Sequence, residues 1–197
     1  MKKDIILAGV GGQGIVSIAT VIGYAAIQSG LYLKQAEVHG MSQRGGDVQS
    51  NLRISDKEIA SDIIQMGKAD IIISIEPMEA LRYVNYLSKD AWIISNTTPF
   101  INIPDYPDIN NIIKEIKKRK NHILIDADNM AKEINSPKSA NIIMLGASSQ
   151  YLGISYEKLE EAIGFIFNKK GAEVVQQNIL ALKTGFDFSV NYNKSSH

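Results

Sequence analysis

The sequence predicts an α/β fold. It should be a three-layer sandwich on a mostly parallel sheet, with an antiparallel hairpin-like insertion after the second strand. Three observations point there. Short apolar runs alternate with helical stretches along most of the 197 residues. The first run, Asp4 to Gly9, passes straight into a glycine-rich turn and a long apolar helix. One segment, residues 47–54, breaks the alternation with a period of two.

Taken in order, Ile15 to Gln28 is apolar nearly all round, so it is a helix pressed closely on the sheet. Leu31 to Val38 is the second strand. Residues 39–46 form a polar loop with three glycines. Val48, Ser50, Leu52 and Ile54 then share one face, with Asp47, Gln49, Asn51 and Arg53 on the other. One polar face implies an antiparallel or edge strand rather than a central parallel one. Glu58 to Ser61 reads as a short strand paired nearby. Ala69 to Ile75 is a fully apolar strand, and Glu76-Pro77 opens a helix to about Leu87, with Pro where a missing N–H costs little. Ala91 to Ser95 is a strand, and residues 96–108 carry three of the five prolines and form a loop. Ile109 to Lys120 is an amphipathic helix and His122 to Ile125 a strand. Asp126 caps a helix that ends near Asn135. Helical stretches follow near 138–151, 155–168 and 171–185. Residues 1–188 read as one domain and 189–197 as a polar, disordered tail.

Composition narrows the function. The chain has 21 Lys+Arg, 21 Asp+Glu and no cysteine. Zero cysteine excludes disulfides, thiolate zinc sites, iron–sulfur ligation and a Cys nucleophile. The three histidines show no metal-ligand spacing, and no metal-ligand set is expected in this chain. Balanced charge argues against nucleic acid as a partner. No apolar run approaches the ~20 residues of a membrane helix. The amino-terminal run fits a buried first strand better than a signal peptide, so a cytoplasmic location is expected.

Gly9-Val-Gly11-Gly12-Gln13-Gly14 fits G-x-G-x-x-G between a strand and a helix, which makes the fold Rossmann-like. Glycines let backbone approach a phosphate, and the helix behind offers free N–H groups. Ile15-Val16 in place of Lys-Ser/Thr excludes a P-loop. Three readings of the turn stay open: dinucleotide binding, with Glu37 in range as the ribose acid; another anionic group; and tight packing alone. No Tyr-x-x-x-Lys pair supports hydride transfer, which weakens a stand-alone NAD(P)-binding protein.

The second glycine loop leaves its strand at the same sheet edge, where α/β ligands bind. Arg44 followed by Gly45 and Gly46 suits an anion nest. Glu76, ending another strand, should reach that rim. The bland alternative pairs Arg44 with Glu37. His39 reads as a loop hydrogen-bonder. Lys114 to Lys120 reads as a solvated basic face, with a weak alternative as a docking patch for an acidic partner. Asp126 and Asp128 read as helix caps. The stripe Leu159, Ala162, Ile163, Phe165, Ile166 reads as core or subunit interface.

Five segments together carry a resemblance. They are Gly-x-Gly-Gly-Gln-Gly at 9–14, Glu-x-His-Gly-Met-Ser-Gln-Arg-Gly-Gly at 37–46, Ser-x-x-Arg at 50–53, Glu-Pro-Met-Glu-Ala-Leu-Arg-Tyr at 76–83 and Asn-Ile-Ile-Met-Leu-Gly-Ala at 141–147. The chain resembles the beta subunits of indolepyruvate ferredoxin oxidoreductases over residues 4 to about 185. More broadly it resembles the gamma subunit or domain of 2-oxoacid:ferredoxin oxidoreductases acting on pyruvate, 2-oxoisovalerate or 2-oxoglutarate. The second and fourth segments favour the indolepyruvate branch. Val38 and Asp47 depart from the usual pattern and put the fine substrate choice in doubt.

The resemblance implies a subunit without a complete active site. The catalytic alpha partner would hold thiamine diphosphate and the 4Fe-4S clusters and pass electrons to ferredoxin. Aryl pyruvates would be oxidatively decarboxylated to the acyl-CoA. It implies that Gly11, Gly12, Gln13 and Gly14, with Gly9, form a phosphate- or backbone-approach loop that binds cofactor. Ser42, Arg44, Gly45 and Gly46 would face the partner and a coenzyme A channel. Glu37 and Glu76 would be structural or rim acids. No catalytic residue is implied, and a homodimer of the isolated chain stays open.

Overall fold

The computed structural model, described over residues 1–39 and 45–195, holds a six-stranded sheet in the order β2-β3-β1-β4-β5-β6. The strands are β1 (Lys2–Val10), β2 (Tyr32–His39), β3 (Asp47–Ser55), β4 (Ala69–Ser74), β5 (Leu87–Asn96) and β6 (His122–Ile125). The helices are α1 (Ile15–Gln28), α2 (Pro77–Arg82), α3 (Ile109–Lys117), α4 (Ala127–Glu133), α5 (Ala140–Ser148), α6 (Tyr156–Phe167) and α7 (Ala172–Ser195). β1, β4, β5 and β6 pair in parallel. β3 runs antiparallel to both β1 and β2.

The sandwich follows from the pleat. Along β1, Ile5 and Leu7 face a layer containing α1, α4, α5, α6 and α7. Ile6 and Ala8 face the opposite side, toward Ile72 and Tyr83. Farther along that side, Ile93 and Leu124 pack with Ala80 of α2 and with Ile112 and Ile116 of α3. Each central strand is therefore apolar on both faces, as a covered parallel sheet requires.

The period of two in β3 does mean antiparallel pairing, but β3 is an interior strand rather than an edge. Its polar face is covered by the loop 56–68. Arg53 Nη1 donates to the Ser61 carbonyl at 2.9 Å, and Asn51 Oδ1 accepts from the Ile64 N–H at 3.2 Å. Side chains thus hold this loop, and the strand expected over Glu58 to Ser61 is not present. Arg53 also makes a two-pronged ion pair with the fully buried Asp4, at 2.8 and 3.2 Å. The Ser-x-x-Arg segment therefore braces the amino edge of the sheet.

Other boundaries moved modestly. α2 stops at Arg82, and a short 3₁₀ turn leads into a β5 that starts at Leu87. The expected polar tail is instead helical through Ser195, because α7 has partners along its last turns. Ser189 is fully buried and accepts from Gln150 Nε2 at 2.6 Å, and Asn193 Nδ2 donates to the Tyr151 hydroxyl at 2.7 Å. Of the α6 stripe, Leu159, Ala162 and Ile163 are core. Phe165 is 65% exposed and stacks on Tyr24.

α5 and α7 cross at two glycines. A Cβ on Gly146 would lie 2.0 Å from the Leu182 carbonyl oxygen, and one on Gly185 would lie 1.9 Å from that of Ile143. Backbone meets backbone there, so no side chain can yield. Gly146→Ala should cost about 3 kcal/mol through forced separation of the helices. Gly164→Ala in α6 meets nothing within 4 Å and should stabilise by up to about 1 kcal/mol. Urea unfolding of the purified variants checks both signs.

Candidate functional site: two glycine loops on one rim

The carboxyl ends of the parallel strands form a single rim. The first glycine turn leaves β1 there, and the return leg of the second loop enters β3 beside it. Two backbone bonds join them: Gly11 N–H donates to the Gly46 carbonyl at 2.8 Å, and Gly45 N–H to the Gly11 carbonyl at 3.4 Å. They continue the β1–β3 ladder one step past its last pair, Val10 and Asp47. The expected convergence of the loops is therefore present for Gly11, Gly45 and Gly46. Ser42 and Arg44 lie outside the described residues, as does the side chain of His39.

Within the turn each residue has a distinct task. Gln13 folds back, and its Oε1 accepts from the Val10 N–H at 2.8 Å. It occupies the space a side chain at Gly9 would need, since a Cβ there would lie 2.9 Å from that oxygen. Gln13 is thus committed to the turn itself. Gly12 has φ 100° and open space where a Cβ would stand. Gly14 has φ 85° and precedes α1 without a side-chain cap. A Cβ on Gly14 would meet Asn141 Nδ2 at 2.4 Å, and that amide donates to the Gly14 carbonyl at 3.2 Å. Asn141 therefore straps α5 to the glycine turn, which explains the first residue of the 141–147 segment.

A polar cleft of about 410 Å³ opens on this side of the turn, lined by Gly12, Gly14, Ser17, Lys138, Asn141 and Lys170 among others. α1 and α5 both begin at it, at Gly14 and Ser139; neither cap residue accepts through its side chain, though in α5 the Ile142 N–H donates to Asn141 Oδ1 at 3.0 Å. First-turn N–H groups without a capping side chain favour an anion, as do two lysines. Lys138 and Lys170 were not singled out in the sequence. Their only local signal is position, one residue before a helix cap and one residue before Gly171. A second groove of about 300 Å³ lies across the turn, between Gly11, Val16 and Val48.

The two acids behave differently. Glu37 sits half-buried on β2, with Gln35 Nε2 3.4 Å from its Oε2. Glu76 is fully buried. Its Oε2 caps α2 by accepting from the Glu79 N–H at 2.9 Å, and its Oε1 accepts from the Phe100 N–H at 3.3 Å and from the Tyr106 hydroxyl. Of the structural and rim roles, Glu76 fills the structural one. Asn96, ending β5, is a similar brace. Its Nδ2 donates to the Ile75 carbonyl and to Asp128, while its Oδ1 accepts from the N–H groups of Thr97 and Ala127. Asp126 caps α4 by accepting from the Asn129 N–H at 3.0 Å. In the basic run, Lys118 pairs with Glu115 at the exposed end of α3. No group of described residues has the makings of a metal site. No described helix is long and apolar enough to cross a membrane.

Beside this rim, burial raises the Glu79 carboxyl above the usual carboxylate range. Arg82, 2.7 Å away, pulls in the opposite direction, while Glu76 and Asp47 add to the rise. Burial also pushes the neighbouring Tyr83 hydroxyl up to about 12.

Comparison with known proteins agrees with this geometry. The pattern of the family described as pyruvate ferredoxin/flavodoxin oxidoreductase matches residues 4–188. The indolepyruvate oxidoreductase subunit IorB of Archaeoglobus fulgidus is 34% identical over 100% of both chains. The 2-oxoglutarate synthase subunit KorC of Methanothermobacter marburgensis is 30% identical, covering 94% of this chain and 95% of that one. A solved structure of the 2-oxoglutarate:ferredoxin oxidoreductase of Magnetococcus marinus, with 2-oxoglutarate, coenzyme A and succinyl-CoA bound, superposes with a TM-score of 0.79 at 25% identity. That match covers 96% of this chain but spans only 31% of the other. The chain is thus a subunit of a 2-oxoacid:ferredoxin oxidoreductase complex, with the fold of that group. The chain belongs to the pyruvate ferredoxin/flavodoxin oxidoreductase family.

The Glu79 shift gives a signed prediction. A carboxyl raised on folding holds its proton more tightly folded than unfolded. Its contribution is therefore complete below about pH 4 and declines as pH rises through the raised value. Glu79→Gln removes the titration. The unfolding free energy of the wild type should fall relative to that of E79Q as pH rises from about 4 through the raised value. Denaturant titrations across that range would show the reverse trend if Arg82 dominated.

Proposed function

We propose that this chain is the beta-type subunit of an indolepyruvate:ferredoxin oxidoreductase and that it holds the phosphates of coenzyme A at the first glycine turn. The observation that carries this reading is the cationic cleft at Gly12–Gly14, where Lys138, Lys170 and the starts of α1 and α5 meet. Coenzyme A is a phosphate-rich thiol, and this cleft offers what phosphates require: cations, N–H groups without side-chain caps and bare backbone at Gly12. Ser42, Arg44, Gly45 and Gly46 would border the channel toward the partner. The coenzyme A named for the Magnetococcus relative supports the ligand. The IorB relative, 34% identical against 30% for KorC, supports indolepyruvate over 2-oxoglutarate.

The reaction is oxidative decarboxylation of an aryl 2-oxoacid. Carbon dioxide leaves, two electrons pass to ferredoxin, and the acyl group replaces the proton on the coenzyme A sulfur, that proton being released to water. Thiamine diphosphate and 4Fe-4S clusters on the alpha partner supply the decarboxylation and electron transfer. A chain with no cysteine gives no thiolate to a cluster. Its own residues bind and orient: the lysines and helix starts fix the phosphates, and Asn141 and Gln13 hold the turn in shape.

Mixing the purified chain with its alpha partner should give coenzyme A-dependent viologen reduction with indolepyruvate, and neither chain alone should do so. A preference of tenfold or more for 2-oxoglutarate or pyruvate would move the chain to another branch. NAD(P) binding by the lone chain, with no association, would replace this reading with a stand-alone Rossmann protein. Lys138→Glu and Lys170→Glu should each raise the KM for coenzyme A about tenfold or more, as the loss of a charge-assisted contact implies. kcat at saturating coenzyme A should change far less.

A further inference from the structure

The loop after β5, residues 97–108, is not part of the coenzyme A reading, yet it is unusually well held for a loop that presents apolar side chains to water. Phe100 is 43% exposed, Ile101 71% and Ile103 42%. Beneath them the backbone is pinned. Thr97 N–H donates to the Ile125 carbonyl at 3.0 Å, and the Thr98 hydroxyl to Asp126 Oδ1 at 3.1 Å. Phe100 N–H and the Tyr106 hydroxyl both donate to Oε1 of the buried Glu76. Asn102 Nδ2 donates to the Gly45 carbonyl, so the loop is tied directly to the second glycine loop. Three prolines, Pro99, Pro104 and Pro107, stiffen it further.

The placement is selective. Twelve large apolar side chains are exposed among the described residues, and five of them belong to this rim: Phe100, Ile101, Ile103, Val16 in the first turn of α1 and Val38 near the end of β2. Phe100, Ile101 and Ile103, three exposed large apolar side chains within four residues of one pinned loop, mark an interaction surface rather than the scattered exposure of an ordinary surface. A knob already ordered loses little entropy when it is covered.

We infer that loop 97–108 is the docking knob for the alpha partner, with Ile101 and Phe100 entering an apolar pocket on that subunit. The occupant follows from the site, and this step rests on the function proposed above. Acyl transfer requires the thiol of a coenzyme A held at the glycine turn to meet the acyl group formed on the partner. The partner must therefore cover the rim that the turn, the second glycine loop and this knob share. In the Magnetococcus relative the matching portion is 31% of a longer chain, so most of that polypeptide is available to lie against it. A second copy of this chain would bring no acyl group to the rim.

The test is Ile101→Glu, with Ile27→Glu as control. Ile27 is 59% exposed at the far end of α1, away from the rim. Each is titrated against the purified alpha partner, reading both affinity and indolepyruvate-dependent viologen reduction. Ile101→Glu should weaken association at least tenfold and regain most of the turnover at saturating partner, while Ile27→Glu should match the unaltered chain. Equal affinity for Ile101→Glu and the unaltered chain overturns the docking surface and leaves the proposed function standing. Failure of the unaltered chain to associate or turn over overturns the function, and the docking surface with it. Loss of self-association of the lone chain on sedimentation, with partner affinity intact, assigns the knob to a second copy and also overturns the inference. Circular dichroism and unfolding of Ile101→Glu should match the unaltered chain, since Glu76, Tyr106 and Asn102 are untouched.

Discussion

The antiparallel strand β3, seated between β2 and β1, is what the rim depends on. In a sheet of parallel strands only, the segment after β2 would cross over and leave the second glycine loop apart from the first. Because β3 turns back at once and pairs with β1 along its whole length, the chain re-enters the sheet beside the first turn. The ladder then runs one step beyond the strands, through Gly11, Gly45 and Gly46. Backbone hydrogen bonds, with no side chain intervening, hold two loops whose sequences are separated by a helix and a strand. A side chain at Gly45, with φ 79°, would strain that junction.

Buried polar groups at both edges of the sheet hold the loops that this pairing leaves in place. At the amino edge, Asp4 and Arg53 draw loop 56–68 over the polar face of β3. At the carboxyl edge, Glu76 and Asn96 do the same for the segments after β4 and β5. All described buried side-chain polar atoms have a partner. Losing one partner of such a set costs more than the hydrogen bond itself, because the other is left buried and unpaired. The acids that sequence reading places near a ligand therefore divide by burial. Glu76 is fully buried and consumed by structure, while Glu37 stays half-buried on β2 beside Gln35.

Much of this was legible in residue order, and the exceptions have a common cause. α1 falls at Ile15–Gln28 and β6 at His122–Ile125, as read, because a glycine turn and an aspartate cap mark their ends locally. The antiparallel sense of β3 was legible in its period of two. Its interior position was not, because a polar face says nothing about a distant loop that will cover it. The length of α7 was obscured for a similar reason. A polar sequence hides Ser189 and Asn193, whose partners Gln150 and Tyr151 lie some 40 residues earlier. At the site, the glycines announced themselves through spacing. Lys138 and Lys170 did not, since only the packing of α5 and α7 on the sheet carries them to the turn. Gly185 was likewise invisible until Gly146 was found facing it.

The division of labour between chains follows from what the rim can supply. Its groups are backbone N–H, two ammonium groups, amides and serine hydroxyls, with a carboxylate pair already committed. Such groups bind anions well and move protons poorly. Binding of this kind adds rate only when it positions a reacting atom that another chain activates. If coenzyme A is the ligand, its phosphates lie far along the molecule from its sulfur, so the cleft acts as an anchor for the remote end and leaves the thiol free to reach the partner.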